Sequence, residues 1–78
     1  MTRVVVTVMP RAGVLDPQGQ AVQGALSRLG FEGVRDVRIG KRIELDLEGE
    51  EPERRAHEMC DRLLANALIE DYRIEVGL

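Results

Sequence analysis

From Arg3 to Met9 the alternation of inward and outward positions gives two faces that are both largely apolar, Val4, Val6 and Val8 on one and Val5, Thr7 and Met9 on the other. That pattern predicts a central strand covered on both sides. Pro10 ends it. The loop that follows closes at Asp16-Pro17, where Asp can cap the free amides of a helix start and Pro fits the first helical position without sacrificing a hydrogen bond. Val22, Ala25, Leu26 and Leu29 then recur at i, i+3, i+4 and i+7, one face of a helix that Gly30 can end in the left-handed conformation. Gly19 and Gly24 weaken this helix, so they are expected to serve close approach of a neighbouring backbone.

Val37 and Ile39 share one side of the segment from Val34 to Ile39, and Ile43, Leu45 and Leu47 alternate strictly with Arg42, Glu44, Asp46 and Glu48. Two strands are expected, joined by a two-residue hairpin at Gly40-Lys41 in which Gly takes a positive φ. Pro52, with Glu50, Glu51 and Glu53 around it, marks a second helix start at the positive end of a helix dipole. Ala56, Met59, Cys60, Leu63 and Leu64 form its apolar stripe, and Asn66 can stop it. Tyr72, Ile74 and Val76 point inward from a last strand.

The expected class is therefore α+β, a single domain over residues 1–78 with a ferredoxin-like β-α-β-β-α-β order. Its sheet is four-stranded and antiparallel with two helices on one face. The first and third strands are central in that topology, and the second and last are edges. Val5 and Met9 then lie on the face away from the helices. They call for a cover, from self-association, from docking against partner proteins or from the loop between Pro10 and Leu15.

Length and composition narrow the picture further. Seventy-eight residues remove only roughly 60% of the unfolded surface from water, so association would help so small a core. With 44% hydrophobic and 32% charged residues the balance is globular and leaves no room for a membrane span. The start of the chain runs straight into a strand and lacks a signal peptide, which points to a cytoplasmic address. Cys60 is the only cysteine, so no intrachain disulfide can form. Eleven basic against fourteen acidic residues give a net charge of −3, and Phe31 and Tyr72 are the only aromatics. Neither an electrostatic footprint nor a stacking platform for nucleic acid is present.

A search for reactive groups returns structural explanations. His57 is the only histidine and has no companion ligands for a metal. Cys60 lies within an apolar stripe, where a free thiol behaves as a small hydrophobe, and no base is placed to activate it. Gly40-Lys41 lacks the glycine spacing and following hydroxyl of a phosphate loop, and Gly30 and Gly33 lack dinucleotide-site spacing. The acidic run from Glu44 to Glu53 reads as the outer face of a strand followed by a helix start. Ser27, the one serine, has no histidine placed with it. As an enzyme the chain looks incomplete.

Four segments, in order and spacing, carry a resemblance. A strand runs into Pro10-Arg11, Leu15-Asp16-Pro17-Gln18-Gly19 opens a helix, Arg38-Ile39-Gly40-Lys41 follows, and Cys60-Asp61-Arg62-Leu63-Leu64-Ala65-Asn66 ends the second helix. Together they resemble the PurS subunit of phosphoribosylformylglycinamidine (FGAM) synthase. The chain departs from that pattern at Ala67, where Pro is frequent, and at Arg11, where Lys is frequent. The resemblance implies a noncatalytic subunit in purine biosynthesis, part of a complex that turns formylglycinamide ribonucleotide, glutamine and ATP into FGAM, glutamate, ADP and phosphate. It implies a homodimer or a dimer of dimers that bridges a glutaminase and a large synthetase subunit and helps keep ammonia from escaping. No cofactor is expected in this subunit; ATP, magnesium and glutamine are used by the complex. Arg11, Asp16, Pro17, Gln18, Gly19, Arg38, Gly40, Lys41 and Asn66 are the candidate partner-facing residues, on loops set on a rigid sheet. Two other classes compete with this reading. One is a ferredoxin-like regulatory module binding a small effector at a dimer interface, and the other is a small enzyme with its site at the sheet edge.

Overall fold

β1 (Thr2–Pro10) is the central strand of a three-stranded antiparallel sheet in a computed structural model that describes residues 1–77. Around it run α1 (Pro17–Arg28), β2 (Lys41–Leu47), α2 (Pro52–Met59) and β3 (Glu70–Val76), in that chain order. The strand order is β2-β1-β3, with Val6 opposite Ile43 on one side and Ile74 on the other. Val4, Val6 and Val8 meet Ala56 and Cys60 in the core, and Ile43, Leu45, Tyr72 and Ile74 pack at its margin. α2 continues past Met59 as a π-helical turn, Cys60–Leu64, in which the Ala65 amide donates to the Cys60 carbonyl at 3.0 Å. The helix thus ends before Asn66, which instead organises the turn into β3.

The helix boundaries follow the local chemistry. Asp16 caps α1 through the Gly19 amide and Pro17 takes its first position. At the far end Gly30 adopts a φ of 92°, its amide donates to Ser27 and the Phe31 amide donates to Leu26. These two bonds satisfy carbonyls that the last helical turn would otherwise leave open. Pro52 opens α2, preceded by Glu51 at a φ of 55°.

Three expectations are corrected. Residues 34–39 lie outside the sheet and take no regular secondary structure, so among the described residues there is no fourth strand and no hairpin at Gly40-Lys41. An alternating pattern favours a strand without specifying which edge it pairs with. Gly40 does not take a positive φ. A side chain there would put its Cβ 2.1 Å from the Val8 carbonyl oxygen, so the glycine permits close backbone passage instead of a turn. With that strand absent, β2, the expected third and central strand, forms an edge.

Only α2 covers the sheet. It packs on β1 and β3, whereas α1 contributes nothing to the core and stands clear of it. The chain is accordingly long, 49 × 25 × 14 Å with a radius of gyration of 15.7 Å. A compact chain of this length has roughly 11–12 Å. The opposite sheet face is also not the bare apolar patch expected. Val5 is only 1% exposed, flanked in register by Glu44 and Glu75. Arg3 pairs there with Glu44 and Asp46, both at 2.7 Å, and Arg73 with Glu75.

Candidate functional site

β1 leaves the sheet at the end where β2 and β3 enter it, and the connections at that end hold most of the candidate partner-facing residues. The Arg11 guanidinium donates to the Ala67 carbonyl from Nη2 at 2.7 Å and from Nε at 3.1 Å, and its Nη1 lies 3.1 Å from Asp71. The Arg11 amide donates to the Ile69 carbonyl at 2.8 Å. Across this contact Asn66 closes a tight turn. Its carbonyl accepts the Ile69 and Glu70 amides, its side-chain oxygen accepts the Leu68 amide at 3.1 Å, and its own amide donates to the Glu70 carboxylate at 2.7 Å.

Arg38 ties the second connection to the first. Its Nη2 donates to the carbonyls of Pro10 and Arg11. Among the described residues its Nε, although buried, has no hydrogen-bond partner. Asp16 then fastens α1 to the same strand of chain: one carboxylate oxygen accepts the Gly19 amide and the other accepts the Ile39 amide at 2.8 Å. These two backbone hydrogen bonds, the Ile39 bond foremost, hold the Asp16 carboxyl below the usual carboxylate range. Gly19 allows this closeness, because a Cβ there would fall 2.1 Å from the Val37 carbonyl oxygen. Gly24, expected to act similarly, faces only the Arg28 guanidinium at 3.4 Å.

Arg11, Asp16, Gly19, Arg38, Gly40, Lys41 and Asn66 therefore meet around one sheet end, with Pro17 and Gln18 exposed on the first turn of α1. A groove of about 470 Å³ opens beside them, lined by Val14, Leu15, Asp16, Gln23, Asp36 and Arg38. Its charges are mixed in sign, Asp16 and Asp36 against Arg38. Exposed Leu15 and Leu68 flank this polar region in sequence.

A second polar group lies where α2 faces β3. The Tyr72 hydroxyl donates to Asp61 at 2.9 Å and sits 3.1 Å from His57 Nδ1. With the hydroxyl proton committed to Asp61, His57 Nδ1 must be the donor in that contact. Sequence reading missed this group because its members are brought together only by the packing of α2 on β3. Cys60 is fully buried beside it, and burial, reinforced by the Asp61 charge, pushes its thiol pKa up. An inert packing thiol fits those surroundings. Among the described residues no three His, Cys, Asp or Glu side chains converge to hold a metal ion. None of the described helices is long and apolar enough to cross a membrane.

Comparison with known proteins adds to this geometry. A family model described as PurS, phosphoribosylformylglycinamidine (FGAM) synthase, matches residues 3–77. The phosphoribosylformylglycinamidine synthase subunit PurS of Mycobacterium leprae is 51% identical over 74 residues, 95% of this chain and 94% of that one. The solved structure of PurS from Bacillus subtilis superposes with a TM-score of 0.92 at 49% identity and full coverage of both chains. A chain of the PurLQS structure from Thermotoga maritima is also similar, with a TM-score of 0.82 at 29% identity, covering 96% of this chain and 95% of that one.

Proposed function

This chain belongs to the PurS family of FGAM synthase subunits in purine biosynthesis, and on that premise we propose that it is a cytoplasmic, noncatalytic adaptor between the glutaminase and the large synthetase subunit. The observation that carries the reading is the sheet end built from Arg11, Asp16, Arg38 and Asn66. It is braced by hydrogen bonds to backbone, which holds a recognition surface in one shape before a partner arrives. The relative found in the PurLQS structure of Thermotoga maritima supports an assembly with two other subunits.

In this role the chain acts by position. The glutaminase releases ammonia, the synthetase uses ATP to activate the amide oxygen of formylglycinamide ribonucleotide, and the adaptor fixes the two subunits so that ammonia is consumed before it escapes. ATP, magnesium and glutamine belong to the partner subunits. The adaptor itself works as a homodimer or a dimer of dimers, which the uncovered apolar face of α1 supports.

Reconstitution tests the proposal. Adding the chain to the purified glutaminase and synthetase restores glutamine-dependent turnover and changes ammonia-dependent turnover much less. No effect on either activity removes the adaptor.

A further inference from the structure

Leu68 is the most exposed large apolar side chain among the described residues, 86% open to solvent on the turn between the π-helical end of α2 and β3. A lone exposed leucine on a mobile loop means little. Here the backbone beneath it is held from both ends of the turn and from β1. The Asn66 side-chain oxygen accepts the Leu68 amide itself at 3.1 Å, and the Asn66 carbonyl accepts the next two amides, of Ile69 at 3.1 Å and Glu70 at 2.7 Å. The Glu70 carboxylate accepts the Asn66 amide at 2.7 Å. From the end of β1 the Arg11 guanidinium donates to the Ala67 carbonyl, and the Arg11 amide donates to the Ile69 carbonyl. Both chain neighbours of Leu68 are thereby bonded to one residue of another connection. Packing within the chain does not use this order, because Leu68 and Ile69 belong neither to the core nor to its margin.

Charge surrounds the apolar tip unevenly. A notch of about 150 Å³ opens on the same turn, lined by Arg11, Asp61, Ala67, Glu70, Asp71 and Tyr72. Three of these are carboxylates and one is a cation. The Asp71 side chain keeps 64% of its surface beside Arg11. The complementary surface is an apolar socket with lysine or arginine at its rim. Rim charge steers encounter and sets orientation, and an apolar anchor slows release.

We propose that Leu68, set on this braced turn, is the anchor by which the chain docks into a basic-rimmed apolar socket on the large synthetase subunit. The inference rests on the adaptor reading and names its point of attachment. Charge selects between the two partners of that reading. The synthetase handles ATP and a ribonucleotide, and sites for phosphorylated substrates are built with Lys and Arg. Glutamine, the substrate of the glutaminase, carries no net charge. Asn66 and Arg11 are then positioning residues. They present Leu68 in one geometry, so little ordering is left to be done at contact.

Titrating the full chain into labelled synthetase and, separately, into labelled glutaminase tests the anchor. Leu68→Asp is expected to weaken synthetase binding by about tenfold or more, through lost burial of a leucine. Glutaminase binding and the melting temperature of the chain are expected to stay unchanged. Leu68→Met keeps a long apolar side chain and is expected to bind within about threefold of the wild type. Asn66→Ala keeps Leu68 but frees its amide, and is expected to fall between the two. Sodium chloride is expected to weaken the wild type more than Asp71→Asn. Undiminished synthetase binding by Leu68→Asp overturns the proposal. So does a loss confined to the glutaminase, an equal loss in Leu68→Met, or salt dependence that Asp71→Asn leaves untouched. A fall in the mass of isolated Leu68→Asp by light scattering would seat the tip on a second copy of the chain and overturns it as well. Failure of the wild type to restore glutamine-dependent turnover removes the adaptor. Restored turnover together with full synthetase binding by Leu68→Asp removes the anchor alone.

Discussion

The Asp16 carboxylate accepts the Ile39 amide at 2.8 Å, joining a helix cap to a backbone group 23 residues further along the chain. The same carboxylate caps α1 through Gly19, so one side chain fixes both the start of the helix and the segment 34–39 beside it. Asn at this position can accept through one oxygen only. Asp16→Asn should therefore keep the cap and release Ile39, or the reverse. The Asp16 pKa is lowered in the fold, so the unfolded chain takes up this proton first as pH falls. The contribution of Asp16 is then fully present above the ordinary Asp value and is lost as pH drops from there through the folded value. Chemical denaturation of the wild type and of Asp16→Asn across acid pH should show a gap in stability that closes on acidification. A gap independent of pH would remove the charge from the account.

Glycines separate by what a methyl group would meet. Gly19→Ala and Gly40→Ala each drive a Cβ to 2.1 Å from a backbone oxygen, of Val37 and Val8 respectively, so backbone must move and both should lower the melting temperature. Gly24→Ala meets only the mobile end of Arg28 at 3.4 Å. It should stabilise the chain by about 0.5–1 kcal/mol through helix propensity. Thermal melts of the three variants give the signs directly.

Those same positions explain how far the sequence could be read. Helix starts were legible because Asp16-Pro17 and Pro52 act on their own first turns, and Gly30 acts on the last turn of α1. The strands β1, β2 and β3 were legible because a period of two is local. Pairing is not local. Val37 and Ile39 alternate as a strand residue should, yet nothing in their spacing says that Asp16, Gln23 and Gly19 hold the segment beside a helix. Gly40 was misread because a glycine between two extended segments serves a turn and a close crossing equally well. Of the candidate partner-facing residues, the gathering of Arg11, Arg38 and Asn66 depends on backbone carbonyls as acceptors, and a carbonyl leaves no mark in a sequence.

Cys60 offers a cleaner test of burial. Its side chain is fully covered and its thiol pKa is raised, so the thiolate that attacks a disulfide reagent is scarce in the folded chain. An aromatic disulfide reagent near neutral pH should label Cys60 at the rate of unfolding, and labelling should become fast in denaturant. Cys60→Ser places a hydroxyl in the apolar core and should cost about 1–3 kcal/mol. Labelling of the native chain as fast as that of the unfolded one would mean that the core opens locally around α2.

Val5 sits on the charged side of the sheet and is as dry as Val6 on the other side. The ion pairs above it are exposed: the side chains of Arg3, Glu44 and Asp46 keep 42%, 48% and 51% of their surface. Exposed pairs of this kind are worth about 0–1 kcal/mol each and weaken in salt. Their methylene stems, by contrast, can lie across apolar surface while the charged heads stay in water. Burial of Val5 is thus a hydrophobic term under a polar lid, and the two respond differently to salt. Val5→Ala should cost about 1–3 kcal/mol, comparable to Val6→Ala, because both remove two buried carbons from a packed site. Urea unfolding at low and high sodium chloride should leave the Val5→Ala cost nearly unchanged while shrinking that of Arg3→Met. If salt erased the Val5→Ala cost as well, the ion pairs themselves would be holding that face of the sheet together.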